Sequence, residues 1–282
     1  RNNWVANTRY DMYRHDYSII NKSPNSQQAS LYESKYYVVN SDLRVYVCID
    51  NGSSGIPGSD SAKGGNSLDE PTFTDTEPSA AGTSGDGYIW KYLFTISPSD
   101  IIKFDSTEFI ALPNDWSTST DSQIQSVREA GDSRVNNNQI KKVYIEKSGN
   151  SSYQEGSHSL NILGDGSGGV VNVTVNSSGK ITKTVVTSGG TGYTYGIVDL
   201  GSIQVTTSIS LENRAKLIPI IPPSRGHGYD LYTELGADKI LIYTRFDDST
   251  PDFPTSTKFS QVGLLKNPST FADEDTIFDE IN

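Results

Sequence analysis

From Tyr88 to Phe94 the chain sets Tyr88, Trp90, Tyr92 and Phe94 at every second position, with Ile89, Lys91 and Leu93 between them. Side chains alternate across a β-strand, so this spacing predicts a strand with one fully aromatic face. A face of that size has to be covered. A sheet-sandwich core is the expected solution, and a sugar- or partner-binding platform the lesser one. Just before it, Gly85-Asp86-Gly87 reads as a tight turn, because glycine accepts positive φ on either side of the aspartate.

The rest of the chain is also of β type: Tyr, Val, Ile and Thr are plentiful, Gly and Ser punctuate often, and long 3.6-period stretches are missing. Strands are expected at Lys35–Val39 and Leu43–Ile49, joined by a turn at Asn40-Ser41-Asp42. Residues 50–85 are rich in Gly, Ser, Pro and Asp, with Ile56, Leu68 and Phe73 as the large apolar residues. Such a passage cannot bury enough surface to offset its own ordering entropy, so it is expected to lie over the body as an excursion. It either wraps a neighbouring protein or forms a mobile surface loop. Ser97-Pro98-Ser99-Asp100 starts a short helix, with Ser97 as cap, Pro98 in the first turn and Asp100 at the positive end. Glu108–Leu112 then reads as a strand ended by Pro113.

Residues 139–206 read as an inserted β-module with a two-copy internal repeat. Ser148-Gly149-Asn150-Ser151-Ser152-Tyr153 matches Ser188-Gly189-Gly190-Thr191-Gly192-Tyr193, and each copy follows a strand, at Val143–Ile145 and Thr184–Val186. Two copies are too few for a solenoid. Gly164–Gly169 and Asn176–Gly179 read as turns around an alternating strand at Val170–Val175. The expected organisation is a multi-domain, mainly β, sandwich-like body with few short helices: residues 1–138, the module at 139–206, and a second body part at 207–282. In that last part strands are expected at Lys216–Ile221, Lys239–Tyr243 and Phe259–Leu265, and an exposed helix or linker at Asp273–Glu280. The opening at Arg1 and the acidic end suggest an internal piece of a longer protein.

The composition narrows the function. Thirty-four acidic against 23 basic residues give a net charge of −11, and no basic stripe offers contact to phosphates, so no nucleic-acid partner is expected. No apolar run reaches the ~18 residues of a membrane span. The single cysteine, Cys48, sits in a strand-like run and reads as a small buried apolar residue. His15, His158 and His227 fall in unrelated segments without metal-ligand spacing. Asp165 alone in its glycine loop supplies too few oxygens for calcium. Arg225-Gly226-His227-Gly228, with Asp230 and Glu234 nearby, is the best candidate for an active-site loop. A loop fixed by Arg225 hydrogen bonds is the favoured reading of it. No nucleophile elbow, phosphate loop or zinc-protease motif occurs, and no pair of carboxylates stands out for glycoside hydrolysis. No catalytic, cofactor-binding or metal residue is therefore assigned.

Four separated blocks resemble one family. Gly85–Phe94, Arg1-Asn2-Asn3-Trp4 through Thr8-Arg9-Tyr10, Leu43–Asp50 with Tyr46 and Cys48 in register, and Phe259–Pro268 resemble, in the same order, the baseplate wedge subunit (gene product eight) family of T-even-like contractile-tailed phages. In Phe259–Pro268, Ser260 stands where the family has arginine. The resemblance implies a mainly β, non-enzymatic structural protein of the virion, made in the host bacterial cytoplasm. It implies a homodimer that contacts other wedge proteins through large desolvated surfaces and carries no cofactor. Gly85, Asp86, Gly87, Tyr88, Trp90, Tyr92 and Phe94 are then family-motif residues of structural role. The 139–206 module has no evident counterpart in that family. The "SGGxGY" and "GDGSG" patterns within it resemble decorations on cyanophage tail proteins. The alternative reading is a carbohydrate-binding tail or fibre adaptor, with Tyr153 and Tyr193 as glycan contacts; a polysaccharide depolymerase comes third.

Overall fold

The computed structural model describes residues 1–53, 63–131, 138–150, 152–206, 209–243, 269–270 and 273–277. It is mainly β, with three short α-helices among the described residues. The first sheet contains β1 (Tyr37–Val39), β2 (Arg44–Asn51), β3 (Ser79–Ala80) and β4 (Tyr88–Thr95), all antiparallel in the order β1-β2-β4-β3. The turn at Asn40–Asp42 forms as expected: Asn40 Oδ1 accepts the Arg44 N–H and the Leu43 N–H reaches the Asn40 carbonyl.

β4 is buried on both faces. On the aromatic face Tyr88 stacks on Trp90 with ring centroids 5.4 Å apart, and Tyr10 meets Trp90 edge-on at 5.7 Å. From β2, Tyr46 lies opposite Tyr92 and Cys48 opposite Trp90. The cover on this side is irregular chain. The Tyr10 N–H donates to the Tyr88 hydroxyl, that hydroxyl donates to the Gly65 carbonyl, and Phe73 packs edge-on against Tyr46. The described residues 63–85 of the excursion therefore lie over the body. Arg44, Tyr46 and Lys91 donate to the carbonyls of Thr72, Phe73 and Thr76, which satisfies backbone groups that no sheet ladder serves.

The other face of β4, bearing Lys91 and Leu93, is covered by α2 (Ser122–Gly131) and the loop around Gly228. A Cβ on Gly228 would come within 2.8 Å of Val127 on α2, so the absence of a side chain there sets how closely loop and helix pack. The helix starting at Ser97 forms as α1 (Pro98–Phe104), with the Ser97 side chain accepting the Asp100 N–H. α3 (Leu231–Glu234) is capped by Asp230, which accepts from Tyr232 and Thr233.

The second core belongs to the module. β6 (Gly156–Gly164), β7 (Ser167–Val175), β8 (Ile181–Thr191) and β9 (Gly196–Val198) form an antiparallel sheet in the order β8-β7-β6-β9. β5 (Val143–Lys147) pairs with β10 (Lys216–Pro219). Ala215, Leu217 and Ile221 join this core, so the unit runs past the boundary expected at 206. The repeat has a physical reason. Gly149 and Gly190 both have positive φ, and a Cβ on either would come within 2.7 Å of the Tyr153 or Tyr193 ring. Each copy is thus a glycine turn folded over its own buried tyrosine.

Three expected elements differ. Glu108–Leu112 forms no strand. Its first residue is instead tied to Arg1: the Arg1 nitrogen donates to the Glu108 carbonyl at 2.6 Å, and the Arg1 side chain pairs with Asp105. Lys239–Tyr243 is also not a strand. Ile240 and Ile242 alternate in sequence but are exposed, with no pairing partner among the described residues. In the acidic end, β12 (Asp273–Ile277) pairs with β11 (Ser269–Thr270), so a ladder partner overrides the run of like charge that suggested a helix or linker. The strand expected at Phe259–Leu265 lies outside the described residues.

Candidate functional site

Most residues nominated by sequence are structural in their surroundings. Asp86 spans the turn between excursion and β4, accepting the Tyr88 N–H (2.9 Å) and the Leu68 N–H (2.8 Å). Gly85 and Gly87 have φ of 68° and 89°. Tyr88, Trp90, Tyr92 and Phe94 are all buried and expose no platform.

Tyr153 and Tyr193 need correction as glycan contacts. Both are buried, and both hydroxyls are spent on backbone. Tyr153 accepts the Ala215 N–H at 2.9 Å; Tyr193 accepts the Gly169 N–H at 3.0 Å and donates to the Ile162 carbonyl at 2.8 Å. A sequence pattern shows an aromatic beside glycines; it does not show which way the ring turns.

The loop at Arg225–Gly228 brings together some of the groups expected there. His227 Nδ1 lies 2.6 Å from Glu234 Oε1, and Glu234 Oε2 accepts the Gly228 N–H at 2.6 Å. Tyr13 meets the imidazole edge-on at 4.7 Å, and the Tyr36 hydroxyl donates to the Glu234 carbonyl. Asp230 stands apart as the cap of α3. Arg225 fixes the loop, stacked 3.9 Å over the Tyr229 ring and bonded to its hydroxyl. Burial, reinforced by the Glu234 charge, pushes the Tyr13 and Tyr36 phenols far up.

Sequence reasoning missed Lys91, which lies behind this loop. It is 2 % exposed, donates to the Thr76 carbonyl, and has its ammonium pKa lowered to about 8 by desolvation, which Glu234 and Glu77 partly oppose. Its place between two apolar residues on a β4 face is the only signal that could have flagged it. The void beside His227 and Lys91 measures about 10 Å³, at the lower limit for one water molecule. Perturbed groups are present here, but there is no room for a substrate.

The other histidines serve the fold. His15 Nδ1 accepts the Ile221 N–H at 3.1 Å, with its pKa lowered by burial, and His158 bonds the Gln154 carbonyl. The Cys48 thiol is fully enclosed and pushed well above its ordinary pKa by burial, which removes the thiolate a nucleophile needs. Among the described residues no cluster of His, Cys, Asp or Glu could hold a metal ion, and no helix is long and apolar enough to cross a membrane.

A cleft of about 920 Å³ lies between the two cores. The body contributes Ile49, Asp50, Glu77 and Ile89, and the module contributes Gln139–Lys142 and all of Thr182–Gly189. Two ion pairs cross it, Lys142 with Asp50 and Lys141 with Glu77. Each carboxylate is committed to a lysine, so the cleft does not present the free facing pair that glycoside hydrolysis requires.

No family model, curated protein or solved structure matches the chain.

Proposed function

We propose that this chain is a structural subunit of a contractile-tail baseplate wedge, acting through protein contacts. The observation that carries the reading is the convergence of the sequence blocks behind the family resemblance. Leu43–Asp50 supplies β2, Gly85–Phe94 supplies β4 and the turn before it, and the two strands pair directly. The third block lies on the same sheet: the Trp4 N–H bonds the Val39 carbonyl, and Tyr10 packs on Tyr88 and Trp90. Segments far apart in sequence thus build one core, as expected of a resemblance that reports a fold. A catalytic family would instead gather its shared residues around a solvent-accessible pocket. The fourth block, Phe259–Pro268, lies outside the described residues. The glycan-adaptor reading loses its two named contacts with the burial of Tyr153 and Tyr193.

Antibody raised against residues 139–206, applied to intact virions that contain the chain, tests this by electron microscopy. Label at the baseplate rim in roughly sixfold array is expected. Label along fibres, or a purified particle whose immunoblot lacks the chain, refutes it.

A further inference from the structure

The tip of the loop between Arg14 and Lys22 holds two adjacent isoleucines in solvent: Ile19 is 82 % exposed and Ile20 97 %. They are the central residues of a tight turn, closed by the Ser18 N–H on the Asn21 carbonyl at 2.9 Å and the Asn21 N–H on the Ser18 carbonyl at 3.1 Å. Gly, Pro, Asn, Asp and Ser dominate such positions, because they favour the turn or bond to it. Single exposed aliphatic residues are ordinary on a protein surface. Here a pair takes the place of turn chemistry and belongs to neither core, so the fold supplies no reason for it.

The loop beneath the tip is fixed. Asn21 Nδ2 donates to the Asp16 carbonyl at 3.0 Å and to Asp16 Oδ2 at 3.1 Å, and Ser18 Oγ accepts the Asn21 N–H. Asp16 is in turn forked by buried Arg14, 2.8 Å from Nε and 2.6 Å from Nη2, and that guanidinium lies 4.1 Å over the Tyr144 ring. The Tyr17 hydroxyl donates to the Met12 carbonyl. Side chains held out on a preformed loop lose little freedom when they are covered, so their apolar area converts to affinity at small ordering cost. Arg14 neutralises Asp16, while Lys22, exposed beside the tip, has no ion-pair partner among the described residues.

We propose that this tip plugs into an apolar socket on a different protein, with a carboxylate at the rim of the socket facing Lys22. A second copy of the chain is a poor occupant. Two small voids among the described residues hold about 10 Å³ each, too little for an isoleucine side chain. In the large cleft Asp50 and Glu77 are already paired with lysines and Lys183 stands uncompensated among the described residues, so the cleft repels Lys22. A bilayer fits the tip no better. Two isoleucine side chains together carry less hydrocarbon than one myristoyl chain, which alone binds membranes only marginally. One lysine on a chain of net charge −11 does not attract an anionic surface. The inference does not depend on the wedge assignment.

Photo-cross-linking tests it, with p-benzoylphenylalanine replacing Ile20 in the full chain, in the cells or particles where the chain occurs. Irradiation is expected to join the chain to one other protein, at a residue that mass spectrometry places among apolar side chains beside an Asp or Glu. With that protein purified, Ile19→Ser and Ile20→Asn should each weaken binding about tenfold or more. Lys22→Glu should weaken it about two- to fivefold, and replacing the facing carboxylate by lysine should restore it. Both introduced residues suit a turn, so the Tm of the Ile19→Ser and Ile20→Asn variants should hold or rise. Three outcomes overturn the proposal: no product, a product with lipid or with a second copy of the chain, or a partner bound equally well by both isoleucine variants. A partner that is not a virion protein would refute the wedge assignment and sustain this inference; chains located in the baseplate that give no product would do the reverse.

Discussion

Replacing Lys91 by methionine should flatten the dependence of stability on pH. In the folded chain the Lys91 ammonium is desolvated and its pKa falls from 10.5 to about 8. In the unfolded chain the same lysine keeps its proton up to about 10.4. Between these values the unfolded state binds more protons, so stability rises with pH across that window and is lost again as pH falls through 8. One unit of displacement is worth about 1.4 kcal/mol, so the buried charge costs the native state on the order of 3 kcal/mol below pH 8. From about pH 7 to about pH 9.5 the wild type should therefore gain roughly 2 kcal/mol relative to Lys91→Met. Methionine has similar length and no charge, so it fills the same space while leaving the Thr76 carbonyl without its donor. Urea unfolding followed by the fluorescence of buried Trp90 and Trp116 gives the free energies at each pH. The Cys48 thiol, held well above its ordinary pKa by burial in the folded chain, and the amino terminus, lowered by desolvation, are common to both proteins and cancel in the difference. Parallel curves for the two proteins would refute the assignment of Lys91 as a buried, strained ammonium.

Other consequences can be measured separately. Tyr193→Phe removes a hydroxyl that serves both the Gly169 N–H and the Ile162 carbonyl; the loss of stability should be about 1–3 kcal/mol by thermal or chemical unfolding. Gly190→Ala should be much worse than Gly85→Ala. Both have positive φ, but a Cβ on Gly190 would lie 2.4 Å from the Ser167 carbonyl, whereas nothing lies within 4 Å of one on Gly85; the Gly85 variant should lose only the backbone term of about 1–2 kcal/mol. The Asp165 carboxyl, held at about 2 by the Thr194 hydroxyl and backbone, should titrate there by NMR and move upward in Thr194→Val.

The fold was legible where pattern and local chemistry agree. The alternation Tyr88–Phe94, the turns at Asn40 and Asn176, and the Ser97 cap all depend on neighbours within a few residues, and all form. Elements that need a distant partner were not legible. Glu108–Leu112 and Lys239–Tyr243 have strand-like composition, yet no ladder meets them among the described residues, and the acidic residues 273–277 pair because Ser269–Thr270 lies beside them. The site followed the same division. Sequence proximity suggested Glu234 as a neighbour of His227, which the structure shows. The approach of Lys91, Tyr13 and Tyr36 to that pair comes from three other segments and leaves no local trace. The repeat was visible as a pattern, but the inward turn of Tyr153 and Tyr193 followed only once Gly149 and Gly190 were seen against the rings.

Single-particle reconstruction of tail baseplates from virions that contain this chain tests the wedge assignment most directly. Six equivalent densities are expected, each accommodating the β1–β4 sheet with the β6–β9 module beside it, in contact with neighbouring wedge proteins. A baseplate map fully accounted for by other chains, with this fold found in the fibres or nowhere in the particle, would contradict it.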